Sequence, residues 1–166
     1  LVGSEMCIRD RRHAGHPIIA MVIGRAISGA FLCHGLQADH ILSLTSEFGT
    51  MIHVMPLSSI ARITRQDVER LSELSRTNPV FAAGPEFFWQ LGGVEELIKA
   101  IPEMKEAIVR HIAEVRQQKQ AAGVTSTGPQ GRGSAGEDRG GRKMRNVILA
   151  QMREEYRAVA ARYLPA

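Results

Sequence analysis

The sequence predicts an α/β domain followed by a mainly helical C-terminal region. Three short runs of β-branched and apolar residues, at 17–23, 40–45 and 50–54, are typical of β-strands. A short apolar helix is expected at 29–36, between the first two strands. Beyond Pro56 the apolar residues recur at helical spacing instead. A chain of 166 residues with 44% hydrophobic residues is about one domain in size and can bury a core.

The first strand opens on a proline and contains no charge, so we expect it to be buried on both faces. It ends at Gly24, after which the chain is expected to turn through 25–28 and continue as the short buried helix. Residues 46–49 (SEFG) are expected to form a turn between the second and third strands.

Four helices are predicted beyond Pro56, at 58–61, 65–76, 94–120 and 144–163. Thr64 is the expected N-cap of the second helix, and the AsnPro pair at 78–79 is expected to end it. The third helix is expected to kink or restart at Pro102. Phe87, Phe88 and Trp89 form the most aromatic patch in the chain.

Four segments follow from these patterns. Residues 1–12 are expected to be a non-native leader, because VGSEMCIRDR resembles a translated sequencing-adapter read-through. Residues 13–120 form the folded domain, and residues 121–143, with 7 of the 16 glycines, are predicted to be a flexible linker. Residues 144–166 hold the C-terminal helix.

Charge and composition exclude several function classes. The net charge is +4, but residues 1–117 hold 12 Lys/Arg against 13 Asp/Glu, so the basic excess lies in the tail. This distribution argues against nucleic-acid binding. No apolar run reaches the length of a membrane span, and two cysteines in unlike contexts suit a reducing cytoplasm.

The spacing of side chains indicates neither a metal site nor a catalytic nucleophile. No CxxC or HxxxH pair joins the scattered histidines, so no metal site is predicted; they are His13, His16, His34, His40, His53 and His111. Ser28 lacks the first glycine of the GxSxG elbow and is not expected to be a nucleophile. Cys33 precedes His34 directly, yet neighbouring helix residues diverge in direction, so a core role is expected for the cysteine.

The backbone around Gly29 offers another kind of chemistry. The glycines at 24 and 29 do not form a phosphate-binding loop. A strand that turns into a helix here presents the free amides of Gly29 and Ala30, which could form an oxyanion hole. From the residues alone, close packing at a helix start is the favoured interpretation, and the oxyanion hole is the alternative.

Three segments carry a resemblance to a known family: GRAISGAFL at 24–32, HGLQA at 34–38 and ARITR at 61–65. With the sequence from about His13 to Ile98, they resemble the gamma subunit of biotin-independent malonate decarboxylase. The stretch is more distantly similar to the carboxyltransferase alpha subunit of acetyl-CoA carboxylase. Both are crotonase-like, so the resemblance implies a partial ββα spiral of carboxyltransferase type and favours oxyanion-hole donors at helix starts.

The resemblance also implies a function. Such a subunit works with a beta subunit to decarboxylate a malonyl thioester, carried on the phosphopantetheine arm of an acyl carrier protein, to an acetyl thioester and CO2. No cofactor is expected on this chain. The amides of Gly29 and Ala30 are the expected catalytic groups, with Arg25 and Ser28 in substrate binding; Arg62 and Arg65 are weaker candidates, better explained by surface salt bridges.

Alternatives remain open. The chain could belong to a biotin-dependent acyl-CoA carboxyltransferase of alpha type, or to a hydratase, for which Glu47 is a weak acid–base candidate. It could also be a non-catalytic scaffold whose aromatic patch at 87–89 docks a partner. Because a crotonase-like subunit needs more ββα turns than are present, we expect an upstream half to be missing and the isolated fragment to be inactive.

Overall fold

The computed structural model describes residues 2–77, 83–125 and 132–160. The strands in these ranges are β1 (Ile19–Val22), β2 (Arg25–Ile27), β3 (His40–Leu44), β4 (Met51–His53) and β5 (Glu96–Ile98). The α-helices are α1 (Val2–His13), α2 (Leu57–Thr64), α3 (Val68–Thr77), α4 (Pro85–Gln90), α5 (Met104–Ala122), α6 (Arg132–Asp138) and α7 (Arg145–Ala160). A π-helical turn at Ala30–His34 continues into a 3-10 turn at Gly35–Gln37.

The strands form two small parallel sheets. One has the order β1-β3-β5, and the other pairs β2 with β4. Twice in succession the chain runs from a strand of the first sheet to a strand of the second and then into a helical segment. The predicted α/β architecture with a mainly helical C-terminal region is therefore confirmed.

The core lies on both faces of β3, the central strand of the three-stranded sheet. All five of its residues are buried. On one face Ile41 packs with Val22 and Ile52, and on the other Leu42 packs with Ile98. Since successive side chains of a strand point to opposite faces, an uninterrupted buried run is the expected mark of a strand covered on both sides.

The predicted strands are confirmed in position, but the double burial falls on a different strand. In β1 the buried residue is Val22, and the other three are half-buried, because β1 lies at the edge of the sheet and β3 at its centre. The predicted turn at 25–28 is wrong for its first three residues. These form β2, which hydrogen-bonds in parallel to β4.

The long helix predicted at 94–120 is wrong over its first turns. Residues 96–98 form β5 against β3, and a 3-10 turn at Ile101–Glu103 follows. Helix α5 begins only at Met104, after Pro102, whose missing N–H suits a helix start. A strand of three residues carries no periodicity of its own, so only its pairing reveals it.

The helix boundary predicted at Thr64 also differs from the structure. Thr64 is the last residue of α2, and its hydroxyl donates to the Ile60 carbonyl oxygen at 2.7 Å. The side chain that caps α3 is Asp67, whose Oδ1 accepts the N–H groups of Glu69 at 2.8 Å and Arg70 at 3.2 Å. The final predicted helix corresponds to α7. The AsnPro pair at 78–79 and residues 161–163 lie outside the described residues.

Helix α5 packs on the sheet through residues spaced four apart, and two of these are polar. Its buried residues are Ala107, His111, Val115 and Lys119. The Lys119 ammonium lies 2.9 Å from Oδ2 of Asp39, and both side chains are nearly inaccessible, at 6% and 0% exposure. Lys119 also donates to the His16 carbonyl oxygen, while Asp39 accepts the N–H of Ile18. This buried ion pair joins α5 to the starts of β1 and β3.

The predicted flexible linker at 121–143 contains a packed helix where the structure describes it. A Cβ atom at Gly136 of α6 would lie 2.2 Å from the Leu91 carbonyl oxygen, and one at Gly141 would lie 2.3 Å from that of Gln90. Arg139 stacks over Trp89 at 4.5 Å from the ring centroid. The glycines of 132–143 thus allow close backbone contact with 90–92, and the aromatic patch contacts this chain's own C-terminal segment.

Helix α1 covers most of the predicted leader and is largely exposed from Met6 onward. Its assignment as a non-native segment stays a prediction. None of the described helices is both long enough and apolar enough to cross a membrane.

Removing the buried lysine should be costly. In Lys119→Met the Asp39 carboxylate stays buried without its cation, and we expect a loss of about 3–5 kcal/mol in the free energy of unfolding. Urea denaturation of the full-length protein measures this. Lys105→Met, at an exposed position of the same helix, should change stability by less than about 0.5 kcal/mol. Equal effects of the two substitutions would contradict the structural role of the pair.

One substitution distinguishes a packed α6 from a flexible linker, because the two predict opposite changes in stability. Gly136→Ala places a methyl group against the Leu91 carbonyl, so it should destabilise the protein by about 1–3 kcal/mol. In a flexible linker the same change would be neutral or slightly stabilising. The matched control is Gly24→Ala, where the added Cβ meets nothing within 4 Å. Thermal unfolding in which both variants match the parent protein would disprove the packing.

Candidate functional site

The backbone is locally distorted between β2 and the π-helical turn. Ser28 has a φ of +52°, in the left-handed region that a non-glycine residue enters at a cost of about 1–3 kcal/mol. The turn from strand to helix is therefore made at Ser28, whereas the sequence predicted a turn through residues 25–28. Such strained positions concentrate at functional sites. We call residues 28–30 the elbow.

The elbow presents backbone amides on an open surface. The first N–H groups of a helical segment have no carbonyl partner within it, so those at Gly29 and Ala30 are available by position. Ser28 and Gly29 are both exposed. A Cβ on Gly29 would meet nothing closer than Cys33 Sγ at 4.0 Å. The space in front of Gly29 is therefore open.

Arg25 lies three residues before the elbow on the outer face of the two-stranded sheet. Arg25 and Ile27 are exposed, whereas Ala26 between them packs against the core. Their partners in the parallel register are Met51 and His53 of β4. The guanidinium thus belongs to a face that is otherwise largely apolar.

The segments around β2 and β4 leave many large apolar side chains in solvent. Seven of them are between 37% and 63% exposed. They are Ile23, Ile27, Leu32, Phe48, Met51, Val54 and Met55, and we call them the apolar face. Exposed apolar clusters of this kind mark interaction surfaces on soluble proteins.

The far end of the elbow's helical segment is held by a buried arginine from α6. Arg132 is 8% exposed and donates to the carbonyl oxygens of Leu36 at 2.7 Å and Ala38 at 2.6 Å. Its Nε lies 3.2 Å from Oε1 of Glu95, which balances the charge. A cation at the carbonyl end of a helical segment complements the peptide dipoles, whose positive ends face the elbow.

A second polar group lies between the sheet and α5. The Nδ1 atoms of His40 and His111 are 2.8 Å apart, and both rings are buried. Nε2 of His111 lies 2.7 Å from Oε2 of Glu96, and its Nδ1 lies 3.3 Å from Oε2 of Glu114. Arg110 donates to Glu96 in turn, at 2.7 Å. We call His40, His111, Glu96 and Glu114 the histidine cluster.

The histidine cluster shifts the protonation of its members. Burial lowers the pKa of His40, and the facing His111 acts in the same direction, while Glu95, Gln118 and Glu114 oppose them. Partial burial raises the pKa of Glu96, but hydrogen bonds from Arg110 and His111 outweigh it and bring the pKa below its ordinary value. The cluster therefore favours a neutral His40 beside an ionised Glu96.

Other candidate side chains lie apart from the elbow in the chain. Arg62 is an exposed residue of α2, and Arg65 ends that helix with a left-handed φ of +55°. Within the described residues neither forms an ion pair, so the expected salt bridges are not found there. Glu47 is exposed in the turn before β4. The expectation that Cys33 is a core residue is wrong, because it lies on the exposed side of the π-helical turn.

Sequence patterns could not identify Arg132 or the histidine cluster. His40 and His111 are 71 residues apart, and Arg132 lies in a stretch whose glycines suggested a linker. The only local pattern was the spacing of His111 and Glu114, three apart on one helix face. That spacing is common on helix surfaces and indicates no ligand by itself.

Comparison with known proteins identifies related chains. A family model described as malonate decarboxylase gamma subunit matches residues 4–156. The malonyl-S-ACP:biotin-protein carboxyltransferase MADD of Malonomonas rubra is 59% identical over 160 residues, covering 96% of this chain and 55% of the relative. The match to the family begins inside the predicted leader, at residue 4.

Solved structures give the same grouping. A Pseudomonas malonate decarboxylase hetero-tetramer in complex with coenzyme A matches with a TM-score of 0.62 and 27% identity, over 93% of this chain and 58% of that one. The hetero-tetramer in complex with malonate matches with a TM-score of 0.61 and 25% identity, over 93% and 57%. The chain thus spans little more than half the length of these relatives. With the match over residues 4–156, it belongs to the malonate decarboxylase gamma subunit family.

Proposed function

We propose that this chain is part of an enzyme subunit that cleaves the carboxyl group from a malonyl thioester. The observation that carries the proposal is the family match over residues 4–156. The name of the Malonomonas rubra relative specifies a malonyl-S-ACP substrate, and the Pseudomonas structures hold coenzyme A or malonate. A malonyl group on a phosphopantetheine thioester combines malonate with the phosphopantetheine arm that coenzyme A and an acyl carrier protein share.

The fold that we propose for this subunit is a crotonase-like ββα spiral of carboxyltransferase type. The twice-repeated order of strand, strand and helical segment, with the strands alternating between two parallel sheets, supports it. In such an arrangement each helix start follows a strand of the second sheet. The elbow occupies that place after β2.

The chemical demand is stabilisation of an enolate. When the bond between C2 and the carboxyl carbon breaks, its electron pair moves into the thioester and places negative charge on the carbonyl oxygen. Amides of Gly29 and Ala30 directed at this oxygen stabilise the transition state more than the ground state. One such donor is worth on the order of 10²–10³ in rate. Protonation of C2 then yields the acetyl thioester.

Arg25 and Ser28 are proposed to bind substrate. An ion pair between Arg25 and the departing carboxylate is lost as CO2 forms, so Arg25 contributes to binding more than to the bond-breaking step. Ser28 supplies the left-handed turn at the elbow. The residue is exposed, so its hydroxyl is proposed to hydrogen-bond a polar group of the substrate.

The elbow is proposed to form half of a site that a partner subunit completes. The exposed apolar face around β2 and β4 supports this, because a face of this kind suits a protein interface. The hetero-tetrameric state of the Pseudomonas relatives is consistent with it. We therefore propose a beta subunit and an acyl carrier protein as partners, no cofactor held by this chain, and a cytoplasmic location.

The acceptor of the carboxyl group distinguishes two forms of the reaction. In the first, CO2 leaves directly and C2 is protonated. In the second, CO2 passes to biotin on a carrier protein, as the name of the Malonomonas rubra relative specifies for that protein. Because that relative is 59% identical, against 27% for the Pseudomonas structure, the biotin-dependent form is a second candidate with specific support.

A bulky side chain at Gly29 tests the elbow. Gly29→Val places a branched side chain before the amides, and its Cβ meets nothing closer than Cys33 Sγ at 4.0 Å, so cleavage should fall by roughly 10²–10³. The variant is assayed as the full-length subunit co-purified with its partner, by acetyl thioester formation from a malonyl thioester. Gly24→Val is the matched control and should retain activity. Full activity of Gly29→Val in an intact complex would favour the scaffold alternative.

The acceptor is tested with a malonyl thioester labelled in its free carboxyl group. If the biotin-dependent form is correct, label should appear on the biotin-protein, and saturating avidin should slow acetyl thioester formation at least about tenfold, because the carboxyl group then has no acceptor. Release of labelled CO2 at an unchanged rate with avidin present would establish direct decarboxylation instead. In either case the label must leave the thioester, or the proposed substrate is wrong.

A further inference from the structure

The histidine cluster brings metal-ligand atoms together at a place remote from the elbow in the fold. His40 begins β3, and His111 and Glu114 lie one turn apart on α5. Each of these three residues offers one ligand atom, and the three atoms all lie within 4.8 Å of one another. The sequence spacing of the histidines predicted no metal site, because two of the ligands meet only through the fold.

We propose that His40, His111 and Glu114 bind a divalent transition-metal ion of the zinc class. Two imidazoles and a carboxylate form a three-ligand set that zinc accepts, with the fourth position left for water. A tetrahedral ion with metal–ligand bonds of 2.0–2.1 Å requires its ligand atoms to lie about 3.3 Å apart. The His111–Glu114 distance is 3.3 Å, and the His40–His111 distance of 2.8 Å must widen by only a few tenths of an ångström.

The two imidazoles are already oriented for such an ion. Two ring nitrogens 2.8 Å apart cannot both present lone pairs unless a proton or a cation lies between them. Nε2 of His111 lies at hydrogen-bond distance from Glu96, which directs its Nδ1 toward His40. Glu96 is held in turn by a hydrogen bond from Arg110. A carboxylate behind a ligating histidine is the usual outer partner in zinc sites.

Burial and access also suit a bound ion. The histidines are 9% and 6% exposed, whereas the Glu114 side chain is 42% exposed, so an ion can enter from the Glu114 side. Imidazole ligands favour zinc, cobalt or copper over magnesium and calcium. The site joins β3 to α5, and through Glu96 also to β5. A bound ion therefore fastens the helix to the sheet.

Metal binding can be measured directly on the full-length protein after chelation. Co²⁺ titration should produce visible d–d absorption that saturates at one ion per chain and is displaced by Zn²⁺. At about 100 times its Kd, Zn²⁺ should raise Tm by about 5–10 °C, because an ion that binds only the folded state stabilises it. Absence of the absorption and of the Tm shift would show that the histidines share only a proton, and would overturn the proposal.

Variants separate this site from metal bound elsewhere. Glu114→Gln removes an exposed ligand, so the protein should fold as before without metal yet bind Co²⁺ at least about tenfold more weakly. Glu96→Gln should weaken binding by about 10–100-fold through loss of the outer partner. Glu106→Gln, an exposed glutamate of the same helix, is the matched control and should bind normally. If all three variants bind like the parent protein, the ion lies elsewhere and the proposal fails.

Discussion

The buried ion pair between Asp39 and Lys119 constrains the rest of this structure. Asp39 directly precedes the central strand and also accepts the N–H of Ile18, just before β1. Lys119 belongs to the last turns of α5, so one interaction sets the helix against the starts of two strands. Charges at this depth are tolerated only when paired and hydrogen-bonded. The register of the sheet and the position of α5 therefore depend on each other.

Beside this pair, Arg132 extends the same constraint to the elbow. It contacts the carbonyl oxygens of Leu36 and Ala38, next to Asp39, and its charge is balanced by Glu95. Since these carbonyls lie at the end of the helical segment that begins at the elbow, α6 fixes that end of the segment. The C-terminal glycine-rich part of the chain thus helps to hold the segment that carries the proposed catalytic amides.

One face of α5 serves two polar networks. Residues 111 and 119 on that face contribute to the histidine cluster and to the buried ion pair, with Val115 packed between them. Both networks tie the helix to the sheet, which leaves β2, β4 and the elbow on the opposite, exposed part of the fold. This separation lets a partner subunit cover the apolar face without disturbing the polar core.

Local patterns were enough to predict the strands at 19–22, 40–44 and 51–53 and four of the helices, because runs of β-branched residues and helical spacing act locally. Resemblance in 24–32, 34–38 and 61–65 pointed to the family. Strands β2 and β5 became evident only in the folded chain, since strands of three residues depend on their parallel neighbours. It also turned a predicted linker into a packed helix and brought together histidines 71 residues apart. Contacts between distant residues depend on how the elements pack, and local sequence patterns do not record that packing.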